Sequence, residues 1–372
     1  NSFIPFDVKR DYGLPTYKEK DAIYTYHFYR LIQRAKNVHI IYNTEPDVLE
    51  GGEKSRLITQ LLTDENLKPY ITHTVASPQV KIDPVPPVEL LKQGTLLEDI
   101  KAFAQNGFSP TSLTNYIKNP IDFYTRNILK INDLEEVEEN IAANTFGTIV
   151  HDSLEQLYMP LLGSVLTKEN VSALKPLVPA IVEQHFRGNL AGVDIKKGKY
   201  LLVYNVIVKY LNNFIDLELE QVQNHQIKLL ALEQKYVEEL TIPSVPFPIT
   251  LKGTLDRVDE LDGTLRIIDY KTGKVEPKNV KITDWEALIT DYDKSKAFQL
   301  LCYAYLYAQK NPVQNIKAGI YSFKNLSQGL FSFSEDKNNI IDQQTLSTFE
   351  SYLNRLIIEI CSVEIPLTEK TD

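Results

Sequence analysis

Cysteine and methionine are nearly absent from this sequence, and each shortage excludes something. Among the 372 residues the cysteines are Cys302 and Cys361, and the single methionine is Met159. Two cysteines cannot build the multi-disulfide framework of a small secreted domain, so a reducing, cytoplasmic setting is predicted. Because methionine is so rare and does not begin the chain, we expect a fragment of a longer protein.

Long apolar runs and an excess of positive charge are also lacking. No hydrophobic stretch approaches the roughly 18 residues that a membrane-spanning helix requires, so no membrane partner is expected. The first residues lack the basic start and apolar middle of a signal peptide. A net charge of −9 argues against non-specific binding to nucleic acid, although it leaves room for a local basic groove.

The chain is long enough for about two domains. Pro84, Pro86 and Pro87 fall within four residues, which excludes helix and central strand and marks a boundary. The predicted parts are a first domain at 1–83, a linker at 84–104 and a second domain at 105–372.

Both parts are predicted to mix helices with strands. In the first, a helix running to Ala35 precedes strands predicted from "NVHIIYN", "PYITHTV" and "PQVKI". In the second, helices are predicted at 147–160, 166–190, 200–224, 295–309 and 344–361, and strands at 228–239, 247–259, 264–271 and 316–323. Helices followed by a mostly antiparallel sheet with one crossing helix indicate an α/β or α+β fold.

The stretch "GTLDRVDELDGTLRIIDYKTG" carries the strongest local signal. Asp262-Gly263 predicts a two-residue hairpin loop, so paired residue numbers sum to 525 and Asp256 lies opposite Asp269. Lys271 shares a sheet face with Asp269, since side chains alternate along a strand. Two opposed carboxylates repel each other unless one is protonated or a cation lies between them.

All-oxygen ligation of that cation suits Mg²⁺ or Mn²⁺. The lysine beside it suits a reaction in which negative charge develops on phosphate or in which water must be positioned. A surface hairpin with a simple ion pair between Asp269 and Lys271 is an equally good interpretation of the spacing alone.

A resemblance favours the catalytic interpretation. "GTLDR" and "IDYKTG" resemble motifs II and III of the PD-(D/E)XK nuclease superfamily, and are similar to the nuclease module of RecB and AddB. "FGTIVHDSLEQLY", "AFQLLCYAYLYA" and "SPTSLTNYIKNPIDFYTRNIL" resemble its upstream, downstream and opening helices. The resemblance covers roughly residues 105–325. It implies an α/β fold with a mixed central sheet flanked by helices, preceded here by a smaller N-terminal α/β segment.

The resemblance also implies roles for residues of the hairpin. Asp256, Asp269, His151 and the backbone carbonyl of Tyr270 would bind Mg²⁺ or Mn²⁺. Lys271 would position the nucleophile or neutralise developing charge. An iron–sulfur cluster is not expected, because the cysteine that many relatives carry before the proline of the opening helix is replaced by Asn119.

Two helices carry further candidates. His151 and Glu155 share one helix face, so Glu155 would orient the ligand His151 from behind. The alternative is a partly buried histidine whose hydrogen bonds are satisfied by structure. Gln299 and Tyr303 also share a face and would hold DNA phosphate or the attacking water, although Tyr303 could equally belong to a core helix.

Positively charged residues after the hairpin could line a groove that tracks phosphates. They are Arg257, Lys271, Lys274, Lys278 and Lys281. The "KKGK" run at 196–199 is interpreted as a solvated loop.

The N-terminal stretch "FYRLIQRAKNVHIIYN" resembles the last motif of superfamily 1 helicases of the UvrD and RecB type. Arg34 would be the arginine that reaches the ATP γ-phosphate, or it is a surface charge of a generic α/β unit. "GGEKS" at 51–55 fails the spacing of a P-loop, so the chain is not expected to hydrolyse ATP by itself.

The sequence thus predicts a metal-dependent DNA nuclease, the exonuclease module of a helicase–nuclease in double-strand break repair and recombination. DNA and a helicase partner subunit are the expected partners. The alternative is an inactive nuclease-fold domain that binds DNA or scaffolds a subunit. A phage or restriction nuclease of the same fold is disfavoured by the helicase-like segment at 20–45.

Overall fold

The structure is a computed structural model that describes residues 6–13, 16–42, 54–76, 86–131, 142–190, 194–195 and 197–370. The chain divides into two compact units, Asn1–Pro84 and Val85–Asp372. Within the described ranges, no helix combines the length and the hydrophobicity that crossing a membrane would require.

The regular elements in the described part of the first unit are helices. Its helices are α1 (Phe6–Asp11), α2 (Tyr17–Ile32) and α3 (Arg56–Thr63). The strand predicted from "NVHIIYN" is wrong for residues 37–42, and "PYITHTV" forms a 3₁₀ turn followed by irregular chain. Both runs are apolar, but a strand needs a neighbour for its backbone groups, and the described part of this unit supplies none. The "PQVKI" strand lies outside the described residues.

The second unit contains the helices and strands that build the site. Its helices are α4 (Thr95–Asn106), α5 (Pro110–Lys118), α6 (Pro120–Phe123), α7 (Ala143–Tyr158), α8 (Lys168–Ser172), α9 (Val178–Asn189), α10 (Gly198–Asn224), α11 (Trp285–Thr290), α12 (Ser295–Lys310) and α13 (Gln343–Cys361). Its strands are β1 (Glu89–Leu90), β2 (Val165–Leu166), β3 (Ile227–Leu240), β4 (Ile249–Leu261), β5 (Thr264–Lys271), β6 (Lys281–Ile282), β7 (Ile316–Ser322), β8 (Phe331–Ser332), β9 (Ser334–Glu335) and β10 (Leu367–Thr368).

Six strands form the central sheet, in the order β2-β3-β4-β5-β7-β8. Only β5 and β7 are parallel neighbours in it, and the other pairs are antiparallel. A parallel pair requires a crossover connection, and α12 lies in the one between β5 and β7. The predicted α/β class with a mixed central sheet flanked by helices is confirmed, and it is consistent with a restriction-endonuclease-like fold.

Helices cover both faces of this sheet. On one face α4, α5, α12 and α13 enclose a core that includes Ile267 and Phe298, and we call this side the α12 layer. On the other face α7, α9 and α10 enclose a core that includes Phe214 and Tyr270, and we call it the α10 layer. Because side chains alternate along a strand, consecutive residues of β5 enter different layers.

The β4–β5 hairpin has the predicted register. Leu261 pairs with Thr264 and Arg257 with Ile268, so the numbers of each pair sum to 525. The loop residues Asp262 and Gly263 have φ values of +50° and +79°. Two successive positive φ angles are those of a type I′ turn, whose twist matches that of the strands and which Asp-Gly favours.

Two segments of the second unit differ in local structure from what the sequence pattern suggests. The helix expected at 166–190 is divided: Leu166 belongs to β2, Thr167 caps α8, and the prolines at 176 and 179 lie in the first turns of a 3₁₀ turn and of α9. The predicted linker at 84–104 includes most of α4, whose Leu96, Ile100 and Ala104 are buried. Their spacing of four residues is that of a helix face directed into a core.

Candidate active site

The site forms where strand pairing in the central sheet is interrupted. The β3–β4 ladder skips Glu233 and Asp256, although the residues on either side of them are paired. Glu233 has a φ of +42°, a left-handed conformation that is uncommon for a residue with a side chain. The β4–β5 ladder ends at Arg257 and Ile268, one step before Asp256 would pair with Asp269. Backbone pairing is therefore replaced by side-chain contacts among three strands.

The direction of side chains along β4 changes at the same place. Leu255 and Val258 are three residues apart, yet both belong to the core of the α12 layer, which regular alternation does not allow. Arg257 between them contacts α10 on the opposite face. Irregularities of this kind redirect a side chain beside an active site, and here the redirected side chain is Asp256.

Each of the two predicted aspartates holds a partner on β5. Asp256 Oδ2 accepts a hydrogen bond from the backbone N–H of Tyr270 at 2.7 Å. Asp269, which is 1% exposed, faces Lys271, whose Nζ lies 2.9 Å from Oδ1 and 2.8 Å from Oδ2. Only the contact with Oδ1 has hydrogen-bond angles, so the buried Oδ2 has no hydrogen-bond partner within the described chain.

His151 reaches these carboxylates from α7, in the α10 layer. Its Nε2 lies 3.1 Å from the carbonyl oxygen of Tyr270, to which a protonated Nε2 donates. Its Nδ1 lies 3.5 Å from Glu233 Oε1 and 3.5 Å from Asp256 Oδ2. One ring nitrogen is thus oriented by a backbone carbonyl while the other faces two carboxylates.

Negative charge dominates the electrostatics of the site. Burial by itself would lower the pKa of His151, but the hydrogen bond to Glu233 and the nearby carboxylates raise that pKa to about 9. Burial and the charge of Asp269 raise the pKa of Asp256, and His151 and Lys271 only partly offset them. Burial also acts to lower the pKa of Lys271, yet the aspartate charges hold it above its usual value. All three pKa values are raised, which means that the site favours added protons. The carboxylates of the site are therefore not fully neutralised by His151 and Lys271.

The residues present fit a divalent metal ion. Ligand atoms of His151, Glu233 and Asp256 lie within 4.8 Å of one another. The carboxylate oxygens are the donors that Mg²⁺ and Mn²⁺ prefer, and the imidazole nitrogen adds a donor typical of transition-metal sites. The Tyr270 carbonyl beside His151 and the unpartnered Oδ2 of Asp269 offer further oxygens.

Helix α12 brings Gln299 and Tyr303 to the aspartates. It packs directly on β4 at Gly253, where an added Cβ would lie 2.9 Å from Leu306 Cδ1 and 3.2 Å from Tyr303 Cε1. Burial and the charges of Asp269 and then Asp256 raise the pKa of Tyr303. Gln299 Nε2 donates to the Tyr303 hydroxyl at 2.6 Å. The absence of a side chain at Gly253 thus sets how closely this hydroxyl approaches the site.

The remaining tyrosines of that helix, Tyr305 and Tyr307, are core residues. Both are buried, and the Tyr305 hydroxyl donates to Glu350 at 2.9 Å. Tyr303 is itself only 7% exposed, so it combines a core position with proximity to the carboxylates.

A comparison with protein families agrees with this geometry, because residues 107–372 match the PD-(D/E)XK nuclease superfamily. This chain belongs to the PD-(D/E)XK nuclease superfamily. Members of the superfamily are typically nucleases, and they use divalent metals. No curated protein matches the chain in a sequence search.

Glu233 belongs to the candidate metal-binding group but is not predicted by the sequence. It lies on β3 together with Glu238 and Glu239, and nothing in the spacing distinguishes it from them. Its direction depends on its positive φ and on the break in pairing opposite Asp256, and both arise from tertiary structure. The only signal was a carboxylate in the strand before the one that carries Asp256.

The structure places Glu155 differently from the prediction. Nδ1 of His151 faces Glu233, whose Oε1 lies 3.5 Å away, rather than Glu155. Glu155 lies close enough to Glu233 and Asp152 that their charges, together with burial, raise its pKa. It therefore adds negative charge beside the metal-binding group, and Glu233 contacts the imidazole.

The prediction that Arg257 lines a phosphate groove is wrong. Arg257 is 0% exposed, and its Nε donates to Asp259 Oδ2 at 2.8 Å. Its Nη1 lies 2.5 Å from Glu218 Oε1, a charge contact without hydrogen-bond angles. The guanidinium also lies over the ring of Tyr158, 5.4 Å from its centre. Alternation after Asp256 turns this residue into the α10 layer, away from solvent.

The other lysines predicted to line the groove differ in how free their charges are. Lys274 and Lys278 contact Glu276 at 2.7 and 3.7 Å, so part of their charge is neutralised locally. Lys281 is exposed on β6. In the "KKGK" run, Lys197 has a side chain that is 85% exposed, as a solvated loop predicts, and residue 196 lies outside the described chain.

Asn119 caps a helix. Its Oδ1 accepts the backbone N–H of Ile121 at 3.0 Å at the start of α6. Cys302 on α12 and Cys361 on α13 are buried free thiols.

Proposed function

We propose that this chain is a metal-dependent deoxyribonuclease that hydrolyses phosphodiester bonds. The observation that carries the proposal is the convergence of His151, Glu233 and Asp256, with ligand atoms within 4.8 Å, beside the Asp269–Lys271 pair. Mg²⁺ or Mn²⁺ suits this donor set, and such an ion, when bound, activates water and stabilises charge on phosphate.

The surrounding residues supply positioning and positive charge. In the hydrolysis, water adds to phosphorus and the bond to the leaving oxygen breaks, so negative charge builds on the phosphoryl oxygens. Lys271, held by Asp269, places an ammonium where it offsets that charge. The Tyr303 hydroxyl, fixed by Gln299, lies near both aspartates and orients the attacking water or a phosphate oxygen.

We propose further that the domain is the exonuclease module of a RecB/AddB-type helicase–nuclease in double-strand break repair. The support is the order of the motifs along the chain and the helicase-like stretch around Arg34, which is exposed just after α2. DNA and a helicase subunit are the proposed partners, and the cytoplasm is the proposed location.

A time course on end-labelled linear and covalently closed circular DNA, with Mg²⁺ or with EDTA, tests this function. We expect the linear DNA to be degraded with Mg²⁺, the circle to resist, and EDTA to stop the reaction. Cutting of the circle would show that the enzyme is an endonuclease and would contradict the proposed exonuclease. Binding of DNA without cutting, with either Mg²⁺ or Mn²⁺, would support the inactive scaffolding alternative.

A further inference from the structure

Lys296 brings a second lysine to the site, from outside the motifs that identified it. It lies in the first turn of α12, three residues before Gln299 and seven before Tyr303, so the three side chains share one helix face. That helix packs on β4 and β5, and its Tyr303 is already at the aspartates. Lys296 therefore continues the same face toward the end of β5, where Lys271 lies.

The surroundings of Lys296 are short of negative charge. Burial and then the charge of Lys271 lower the pKa of Lys296, while Asp293 and Asp269 oppose them. Both carboxylates have other partners, since Asp269 contacts Lys271 at 2.8 Å and Asp293 contacts Lys278 at 3.8 Å. Within the described residues the Lys296 ammonium makes no hydrogen bond or ion pair of its own, although it is only partly exposed.

We infer that Lys296 binds a non-bridging phosphate oxygen of the DNA strand that enters the site. The inference rests on the proposed function and adds a subsite to it. Lys271 is held against Asp269 at the carboxylates, so it serves the reacting phosphate. Lys296 has no carboxylate of its own and lies farther along the helix face, so it serves binding of the strand.

Salt dependence of DNA binding tests this contact without requiring cleavage. The probe is a fluorescent single-stranded oligonucleotide of about 20 nucleotides, and its affinity is measured in Ca²⁺ from about 50 to about 200 mM salt. Lys296→Met should weaken binding several-fold and reduce the slope of log affinity against log salt by about 0.7, the value for one phosphate contact. Lys296→Arg should restore both, because it keeps the charge.

The matched control is Lys310→Met, on the last residue of the same helix and about 21 Å along its axis. It should change neither the affinity nor the slope. An unchanged slope in Lys296→Met, or a wild-type chain that does not bind the oligonucleotide, would overturn the subsite. A chain that binds through Lys296 but never cuts DNA would instead overturn the proposed nuclease function and leave the subsite standing.

Discussion

Two charged clusters lie on the β4–β5 hairpin, one buried in the α10 layer and one where strand pairing ends, and their charges balance differently. Toward the α10 layer, Arg257 contacts Glu218 and Asp259, and Arg266 contacts Asp259 at 2.7 Å. These two positive and two negative residues are at most 5% exposed. Because positive and negative charges are equal in number there, the cluster needs no additional ion.

The active-site cluster is unbalanced. Three carboxylates, on Glu233, Asp256 and Asp269, face one lysine and one histidine. The pKa of His151 is raised to about 9, so in the metal-free chain a proton on the ring supplies part of the missing charge. Neighbouring residues of one hairpin thus build one cluster whose charges balance and a second cluster with excess negative charge, which a bound cation would offset.

The largest expected effect is loss of activity in Asp256→Asn. Asparagine keeps an acceptor for the Tyr270 N–H but removes a charge from the metal-binding group. Cleavage should fall by at least about 10³-fold and metal affinity should fall with it. The metal-free variant should melt no lower than wild type, because a buried carboxylate beside Asp269 is lost.

Calorimetric titration with Mn²⁺, a cleavage assay and thermal melting check this prediction. Glu260→Gln, on the same strand but outside the site, is the control and should retain activity. An Asp256→Asn protein that binds Mn²⁺ like wild type would remove Asp256 from the metal-binding group.

In the balanced cluster, Arg257→Met should reduce stability rather than metal binding. It leaves Glu218 and Asp259 buried with less positive charge, and breaking a buried ion pair typically costs about 3–5 kcal/mol. Urea unfolding measures the loss. Arg355→Met, which breaks the exposed pair with Glu286, should have little effect by comparison. Equal losses in the two variants would contradict a structural role for the buried cluster.

Lys92 extends the comparison to a third case. It is a buried lysine that belongs neither to a balanced ion-pair cluster nor to the metal-binding group. It is 2% exposed, and its Nζ donates to the carbonyl oxygen of Glu359 at 2.5 Å. Burial lowers its pKa from 10.5 to about 8, against smaller opposing effects of Cys361 and Glu359. Between these two pH values the unfolded chain binds more protons than the folded one, so stability rises with pH.

The free energy of unfolding of wild type relative to Lys92→Met should therefore increase by about 3 kcal/mol from about pH 7.5 to about pH 10.5. Urea unfolding of both proteins at several pH values measures the difference. Lys370→Met is the control, because Lys370 also donates to a backbone carbonyl but is exposed. A difference that does not change with pH would contradict burial of the charged Lys92.

The smallest expected effect is that of Lys271→Met. The variant should retain the metal-binding group but lose positive charge near the reacting phosphate, so cleavage should fall by about 10²-fold. Metal affinity, measured by calorimetry, should stay close to that of wild type. Lys274→Met, which removes an exposed lysine paired with Glu276, should cleave normally. If Lys271→Met cleaves DNA at the wild-type rate, Lys271 has no role in catalysis and serves only as an ion-pair partner of Asp269.

Much of the hairpin could be predicted from local sequence. Asp262-Gly263 sets a turn with two positive φ angles, and the turn sets the register of every pair up to Arg257 and Ile268. Alternation then places Asp269 and Lys271 together and Tyr270 opposite. The catalytic roles assigned to these residues stay predictions.

Local patterns failed where a residue's environment depends on distant chain. "NVHIIYN" is apolar enough for a strand, but pairing requires a neighbour that its unit does not supply in the described residues. Arg257 was expected in a groove because it is a positive charge beside a motif. Its burial follows from α10, which supplies Glu218 nearly forty residues earlier in the sequence.

The sequence by itself determined the α/β class, the hairpin register and the pairing of Asp269 with Lys271, because these depend on periodicity and on a turn of two residues. Only the tertiary structure decided that Glu233 joins His151 and Asp256, that Arg257 is buried and that Lys296 approaches Lys271. Those contacts join separate elements across interrupted strand pairing and helix packing, and no spacing along the chain specifies them.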